Sequence, residues 1–187
     1  MSDILIVDGY NVIHAWPPLK RALVEHGPEE ARRGLIEALA AHAVATQART
    51  TVVFDSARRV DRHTGPEYTK VAASSEEVEG ITIRFAAPHS SADHVIERLV
   101  KGAVKKVLDG SNVVVATSDR LVRDMVRAMG ASTMSALSLQ VEVERVQGDT
   151  RRHGERLADE AVHRRRLEHR IGADVRERLE RIRRGER

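Results

Sequence analysis

Four aspartates stand where a chain of alternating strands and helices would bring them together. Asp8 closes the apolar run Ile4–Val7, Asp55 closes Thr50–Phe54, and Asp119 follows the strand-like segment Asn112–Ala116. Asp93 falls at the start of an amphipathic segment that comes after a further strand-like run, Ile81–Phe85. Carboxylates gathered at one edge repel, and each raises the pKa of its neighbours unless a cation offsets them. A hard divalent ion is the natural one, because magnesium takes carboxylate oxygens and keeps several waters. Such a site activates water for attack on a phosphodiester and offsets charge on the leaving oxygen, so the chemistry to expect is hydrolysis of a nucleic acid.

Each acid also has a simpler role. Asp8-Gly9 is a common turn pair, Ser90-Ser91-Ala92-Asp93 fits a capping box, and Asp119 suits a helix N-cap. Around them, Asn11 can orient a carboxylate or a metal-bound water, and Thr117 and Ser118 offer hydroxyls beside Asp119. Glu97 shares the helical face of Asp93 and is an outer ligand or else the i,i+4 partner of Lys101. His14, His89 and His94 gain interest only from their nearness to this region, since the nine histidines show no paired-ligand spacing. Tyr10 and Tyr68 can stack on a base, whereas Phe54 and Phe85, inside strands, read as core.

The elements that must position these residues follow from period and punctuation. Ile4–Val7, Thr50–Phe54, Ile81–Phe85 and Asn112–Ala116 read as buried strands, the first stopped by a turn at Asp8-Gly9. A Pro-containing loop is expected at Trp16-Pro17-Pro18, then helices over 28–48, 91–108 and about 120–129. The stretch 56–80 is left unassigned; it carries Arg58, Arg59 and Arg62, basic residues suited to a phosphate backbone. Alternation of this kind predicts an α/β fold with a mainly parallel sheet and helices on both faces. Ligands of such sheets bind beyond the carboxyl ends of the strands, where the aspartates lie.

Composition removes many rivals. With no cysteine, thiolate metal sites, iron–sulfur clusters and disulfide scaffolds are excluded. No glycine-rich dinucleotide fingerprint follows the first strand, no P-loop is present, and Tyr10 stands where an Asp-x-Asp phosphatase has its second acid. No apolar run is long enough to cross a bilayer, so the chain is read as cytoplasmic, with no membrane partner. The 187 residues carry a net charge of +3, with residues 1–146 at −1 and 147–187 at +4. Acid-then-base pairs at i,i+4 (Glu160/Arg164, Asp174/Arg178, Glu177/Arg181, Glu180/Arg184) flank a stripe of Leu167, Ile171, Val175, Leu179 and Ile182. That pattern predicts one long amphipathic helix, available for RNA or ribosome docking, for a homodimer, or for packing.

Four ordered motifs resemble those of the YacP-like NYN domain family, within the wider group of PIN-like ribonucleases. They are Ile6-Val7-Asp8-Gly9-Tyr10-Asn11-Val12-Ile13, Val53-Phe54-Asp55, Ala92-Asp93-His94-Val95-Ile96-Glu97-Arg98-Leu99 and Val115-Ala116-Thr117-Ser118-Asp119. The motifs cover about residues 3–146 and leave the helix beyond about 150 largely outside. The resemblance implies a PIN-like three-layer α/β/α fold, a magnesium or manganese site and endoribonuclease activity, in some members on mRNA at the ribosome. It places Asp8, Asp93 and Asp119 on the metal-site acids, Asn11 on the asparagine of the first motif and Asp55 on the second-strand acid. Two departures touch substrate positioning: Arg123 stands where the family often has Gln, and Ser135-Ala136-Leu137-Ser138-Leu139 matches a C-terminal segment only in part.

The expectation is therefore a metal-dependent endoribonuclease domain over 1–146 with a charged C-terminal helix over 147–187. Asp8, Asp93 and Asp119 would hold the ion and Asn11 would join them in catalysis. Asp55, Glu97, Thr117 and Ser118 would support that shell, and Arg58, Arg59, Arg62 and Arg123 would hold RNA. A non-catalytic RNA- or ribosome-binding protein of the same fold is the alternative.

Overall fold

The computed structural model describes residues 4–55, 75–87, 90–106, 112–170 and 173–184. In chain order the elements are β1 (Ile4–Asp8), α1 (Gly9–Ala15), α2 (Pro17–His26), α3 (Pro28–Thr46), β2 (Arg49–Phe54) and β3 (Ser75–Val78). They continue with β4 (Ile81–Phe85), α4 (Ala92–Lys106), β5 (Val113–Ala116), α5 (Arg120–Ala128), β6 (Ser132–Met134), α6 (Ala136–Arg170) and α7 (Ala173–Arg183).

The strands form one sheet in the order β3-β4-β2-β1-β5-β6, parallel throughout except for the edge strand β3, which runs antiparallel to β4. From β1 the chain winds outward through β2 to β4, then crosses back to β5 and β6. The switch in winding direction falls between β1 and β5, where a doubly wound sheet opens a crevice at its carboxyl edge. Alternate residues of β1 serve the two faces. Leu5 and Val7 join the core beneath α1, α2, α3 and the start of α6, while Ile6 joins Val53, Val113 and Val115 beneath α4 and α5. Val7, Val12, Ile13, Leu35, Phe54 and Ile96 are wholly buried, each such side chain contributing about 1.5–3 kcal/mol relative to exposure.

Several elements differ from the pattern read in the sequence. No turn follows β1: α1 starts directly at Gly9, capped by Asp8, and the Phe54 ring lies so close to Gly9 that a Cβ at this position would run into it. Pro17 and Pro18 do not make a loop but open α2, where a missing N–H costs nothing to the helix. Helix α3 ends at Thr46, with Gln47 left-handed. Within the unassigned stretch 56–80, Ser75–Val78 is a strand, turned into β4 through Glu79 and Gly80, both at positive φ as a two-residue hairpin requires. The three-residue β6 at the opposite edge is too short to show a period of its own.

By contacts the chain divides into residues 1–147 and 148–187. The expected tail helix corresponds to the later part of α6 together with α7, and residues 171–172 between them lie outside the described residues. Its polar character is as read: Arg151 pairs with Glu155, Arg152 with Asp149, Arg181 with Glu177 and Arg184 with Glu180. Of the predicted apolar stripe, Val175 and Ile182 are exposed; Ile171 lies outside the described residues, as do the side chains of Leu167 and Leu179. No described helix is long and apolar enough to cross a membrane.

Candidate active site

The carboxyl edge of the sheet is built from strand-to-helix junctions, and three of the four aspartates cap the helices that begin there. Asp8 accepts from the Asn11 N–H at 3.3 Å and caps α1. Asp119 caps α5, its Oδ1 accepting from Leu121 N and Val122 N at 2.7 and 3.3 Å. Asp55 reaches across from β2 to α4 and accepts from Ala92 N at 2.6 Å, which fixes the helix turn that carries Asp93. The cap foreseen for Asp119 is thus real, whereas Asp8 caps a helix in place of the turn foreseen there. Capping does not exhaust these groups, since a carboxylate has further lone pairs to offer.

Asp93 is different. It is exposed, and among the described residues its carboxylate accepts no hydrogen bond; the capping of α4 falls instead to Asp55 and to the Ser91 hydroxyl, on which His94 N and Nδ1 converge. Partial desolvation, Asp119 and Asp55 all push the Asp93 carboxyl above its ordinary pKa, with His94 pulling the other way. Burial raises the Asp8 carboxyl in the same direction, opposed by the Asn11 N–H and the Thr117 hydroxyl and reinforced by Asp93 and Asp55. The four acids therefore share one electrostatic neighbourhood, and no arginine or lysine pairs with any of them among the described residues.

A polar lattice ties this rim together. Thr117, fully buried, donates to Asp8 Oδ2 at 3.1 Å and accepts from Asp119 N at 3.1 Å, so one hydroxyl spans the crevice between β1 and β5. Asn11 Oδ1 accepts from Ser118 N at 2.7 Å, and Ser118 Oγ accepts from Ala136 N at 3.2 Å, joining α1, the β5–α5 loop and the start of α6. Nearby, the indole of Trp16 donates to the Ala136 carbonyl at 2.7 Å inside the core.

The other expected residues are placed as follows. Glu97 is held by Lys101, the second of its two foreseen roles, and touches none of the aspartates. Arg123 sits half-buried one turn into α5. Arg58, Arg59, Arg62, Tyr68 and His89 lie outside the described residues. Tyr10 is partly buried, its ring edge-on to Phe54 at 5.4 Å. It accepts from Arg32 Nη1 at 3.3 Å, and the Arg32 guanidinium lies 5.7 Å over Phe85. Sequence reasoning passed over Arg32, one of many charged residues on α3 and distinguished only by its neighbours in space.

The donor set suits a hard divalent ion: carboxylate oxygens without a cationic partner, one of them without any hydrogen bond. Among the described residues no three His, Asp or Glu side chains converge tightly enough to form a ready-made ligand set.

Comparison with known proteins places the chain among its relatives. The family model of the YacP-like NYN domain matches residues 5–184, well past the end of the four motifs and into the tail helices. The protein YacP of Bacillus subtilis (strain 168) is 32% identical over 158 residues, covering 84% of this chain and 85% of its own. The crystal structure of Rae1 (YacP) from Bacillus subtilis superposes with a TM-score of 0.66 at 29% identity, covering 98% of this chain and 95% of that one. A single-substitution mutant of the same protein gives a TM-score of 0.66 at 32% identity, over 84% and 85%.

Proposed function

Since the chain belongs to the YacP-like NYN domain family, which has a PIN-like nuclease fold, we propose that it is a divalent-metal-dependent endoribonuclease. The observation that carries this reading is the unneutralised carboxylate cluster at the β1/β5 crevice, where burial and neighbouring carboxylates hold Asp8 and Asp93 above their ordinary pKa, Asp93 and Asp55 acting on Asp8, and Asp119 and Asp55 on Asp93. Asp8, Asp93 and Asp119 would hold magnesium or manganese. When bound, such an ion supplies a water acidic enough to attack phosphorus and positive charge for the leaving oxygen.

The chain's own groups do the rest. Thr117 keeps Asp8 and Asp119 in a fixed relation through its shared hydroxyl, Asn11 locks the β5–α5 loop against α1, and Asp55 holds the α4 terminus so that Asp93 stays at the rim. A metal-activated water would be the nucleophile. RNA is the substrate, and the family resemblance points to mRNA on the ribosome. The tail helices, with their excess of basic residues, suit docking there or pairing with a second copy.

The test is cleavage of labelled RNA, free and ribosome-bound, with magnesium, with manganese and with a chelator. Metal-dependent internal cuts, lost in Asp8→Asn, are expected. The second reading, a non-catalytic RNA-binding protein, draws on the absence of a ready-made ligand set among the described residues. It predicts RNA binding that survives Asp8→Asn and no cleavage with any metal.

A further inference from the structure

On the face of the sheet covered by α4, a second charged site of opposite sign lies toward the β3 edge. A cleft of about 530 Å³ is bounded by α4, β2, β3 and β4, and three arginines line it: Arg49, Arg84 and Arg98, with Thr51, Ser75 and Leu99 among the remaining wall. Pairing brings them together. Arg49 and Thr51 alternate along β2 on the face that also carries Val53, and the register Val53↔Arg84 and Ser75↔Arg84 sets Arg84 on that same face. Arg98 projects from the α4 stripe that follows Val95 at i,i+3.

Several arginines elsewhere among the described residues sit in ion pairs. Arg33, Arg151, Arg152, Arg181 and Arg184 each have a carboxylate partner. Arg49, Arg84 and Arg98 have none among the described residues, and the Arg84 Nε is buried with no hydrogen-bond partner at all. A buried donor left unmade is costly, and three like charges around one cleft add repulsion. Glu77, opposite Thr82 on this face, is exposed and forms no ion pair with Arg84. An anion with several acceptor oxygens would satisfy all three, and the planar guanidinium fork matches phosphate in particular.

The position of the cleft selects among phosphates. It reaches from Phe85, hydrogen-bond neighbour of the strand end that precedes Asp55, down to Arg49 at the start of β2, about 20 Å of extended strand from Asp55. Charges spread over such a length suit a strand with repeated phosphates better than one small anion. We propose that this cleft holds backbone phosphates of the RNA strand whose scissile bond lies at the aspartate rim. The proposal rests on the nuclease reading for its direction, and on the cleft itself for its chemistry.

The test uses the full chain carrying Asp119→Asn, a short fluorescent single-stranded RNA of mixed sequence, and anisotropy over a salt series. Arg49 and Arg98 are exposed, so the Arg49→Gln/Arg98→Gln pair should fold with an unchanged melting temperature; Arg84→Lys probes the buried position. The paired variant should raise Kd about tenfold or more and flatten the log–log salt slope by about 0.7 per lost phosphate contact. In the active chain the same pair should raise KM with kcat held. Unchanged Kd and slope overturn the proposal. So does loss of thermal stabilisation by inorganic phosphate with RNA binding intact, which would mark a small-anion site. Weakened RNA binding in a protein that cuts nothing would keep the cleft and remove the nuclease reading. Cleavage with unaltered KM would do the reverse, and a wild type that binds no RNA overturns both.

Discussion

The aspartate rim and the arginine cleft are built by neighbouring parts of β2, β4 and α4, and each collects charge of one sign. They differ in how the charges are employed. At the rim Asp8, Asp55 and Asp119 already accept from backbone N–H groups at helix starts, so the groups suited to chemistry also hold the fold. In the cleft no guanidinium has a carboxylate partner among the described residues, and Arg49 and Arg98 are exposed. A junction aspartate is thus pre-organised by its structural duty, as a catalytic group needs to be. A free arginine can move to meet a strand of varying sequence, as a backbone-binding group needs to do. Asp93 lies between these cases, carried on a fixed helix turn with a carboxylate that has no hydrogen-bond donor.

The sharpest way to break this comparison is Asp93→Asn. RNA cleavage should fall by about 10²- to 10³-fold, the usual cost of removing one charge-stabilising group, while the melting temperature holds or rises, because no hydrogen bond is lost and one like charge leaves the rim. A variant that melts early would make Asp93 a structural residue like its neighbours. Next comes manganese added to the wild type. An ion that binds only the folded chain stabilises it by about 2.7 kcal/mol at a hundred times Kd, and Asp93→Asn or Asp119→Asn should remove that rise in a thermal melt.

Smaller effects separate the two duties of a single residue. Asp119→Ala loses the α5 cap and should cost about 1 kcal/mol in urea unfolding, whereas Asp119→Asn, nearly as good a cap, should leave stability almost intact and still abolish cleavage. The smallest effect is on pH. Asp8 and Asp93 bind protons more tightly folded than unfolded. Between the ordinary value of 3.8 and their raised folded values the native state holds more protons, so their contribution to stability is present at low pH and lost as pH rises through that window. Manganese affinity should climb over the same range as the carboxylates ionise. Subtracting the Asp93→Asn curve from that of the wild type isolates the effect from other acids.

Much of the rim was legible in the sequence. Buried parallel strands read as continuous apolar runs, and a charged residue ending such a run marks the carboxyl edge. That is why Asp8, Asp55 and Asp119 could be placed on one side of the sheet before any contact was known. The first helix, α1, was not legible, because Asp8-Gly9 is as good a turn as a helix start, and the close approach of Phe54 to Gly9 is visible only in the fold. Nor was Asp55 as the cap of α4, since its partner lies 37 positions away and only the alignment of β2 beside β4 brings them together.

The sequence by itself determined the alternation of strands and helices, the parallel sheet and the family, because these rest on local period and on motifs of adjacent residues. Tertiary structure alone decided which side chains meet. It set Thr117 between Asp8 and Asp119, gave Glu97 to Lys101, left Asp93 open, and lined up Arg49, Arg84 and Arg98 along one cleft. The reason is physical: strand register and helix placement are fixed by burial of the whole core, and a contact between distant positions leaves no trace in the spacing of either one.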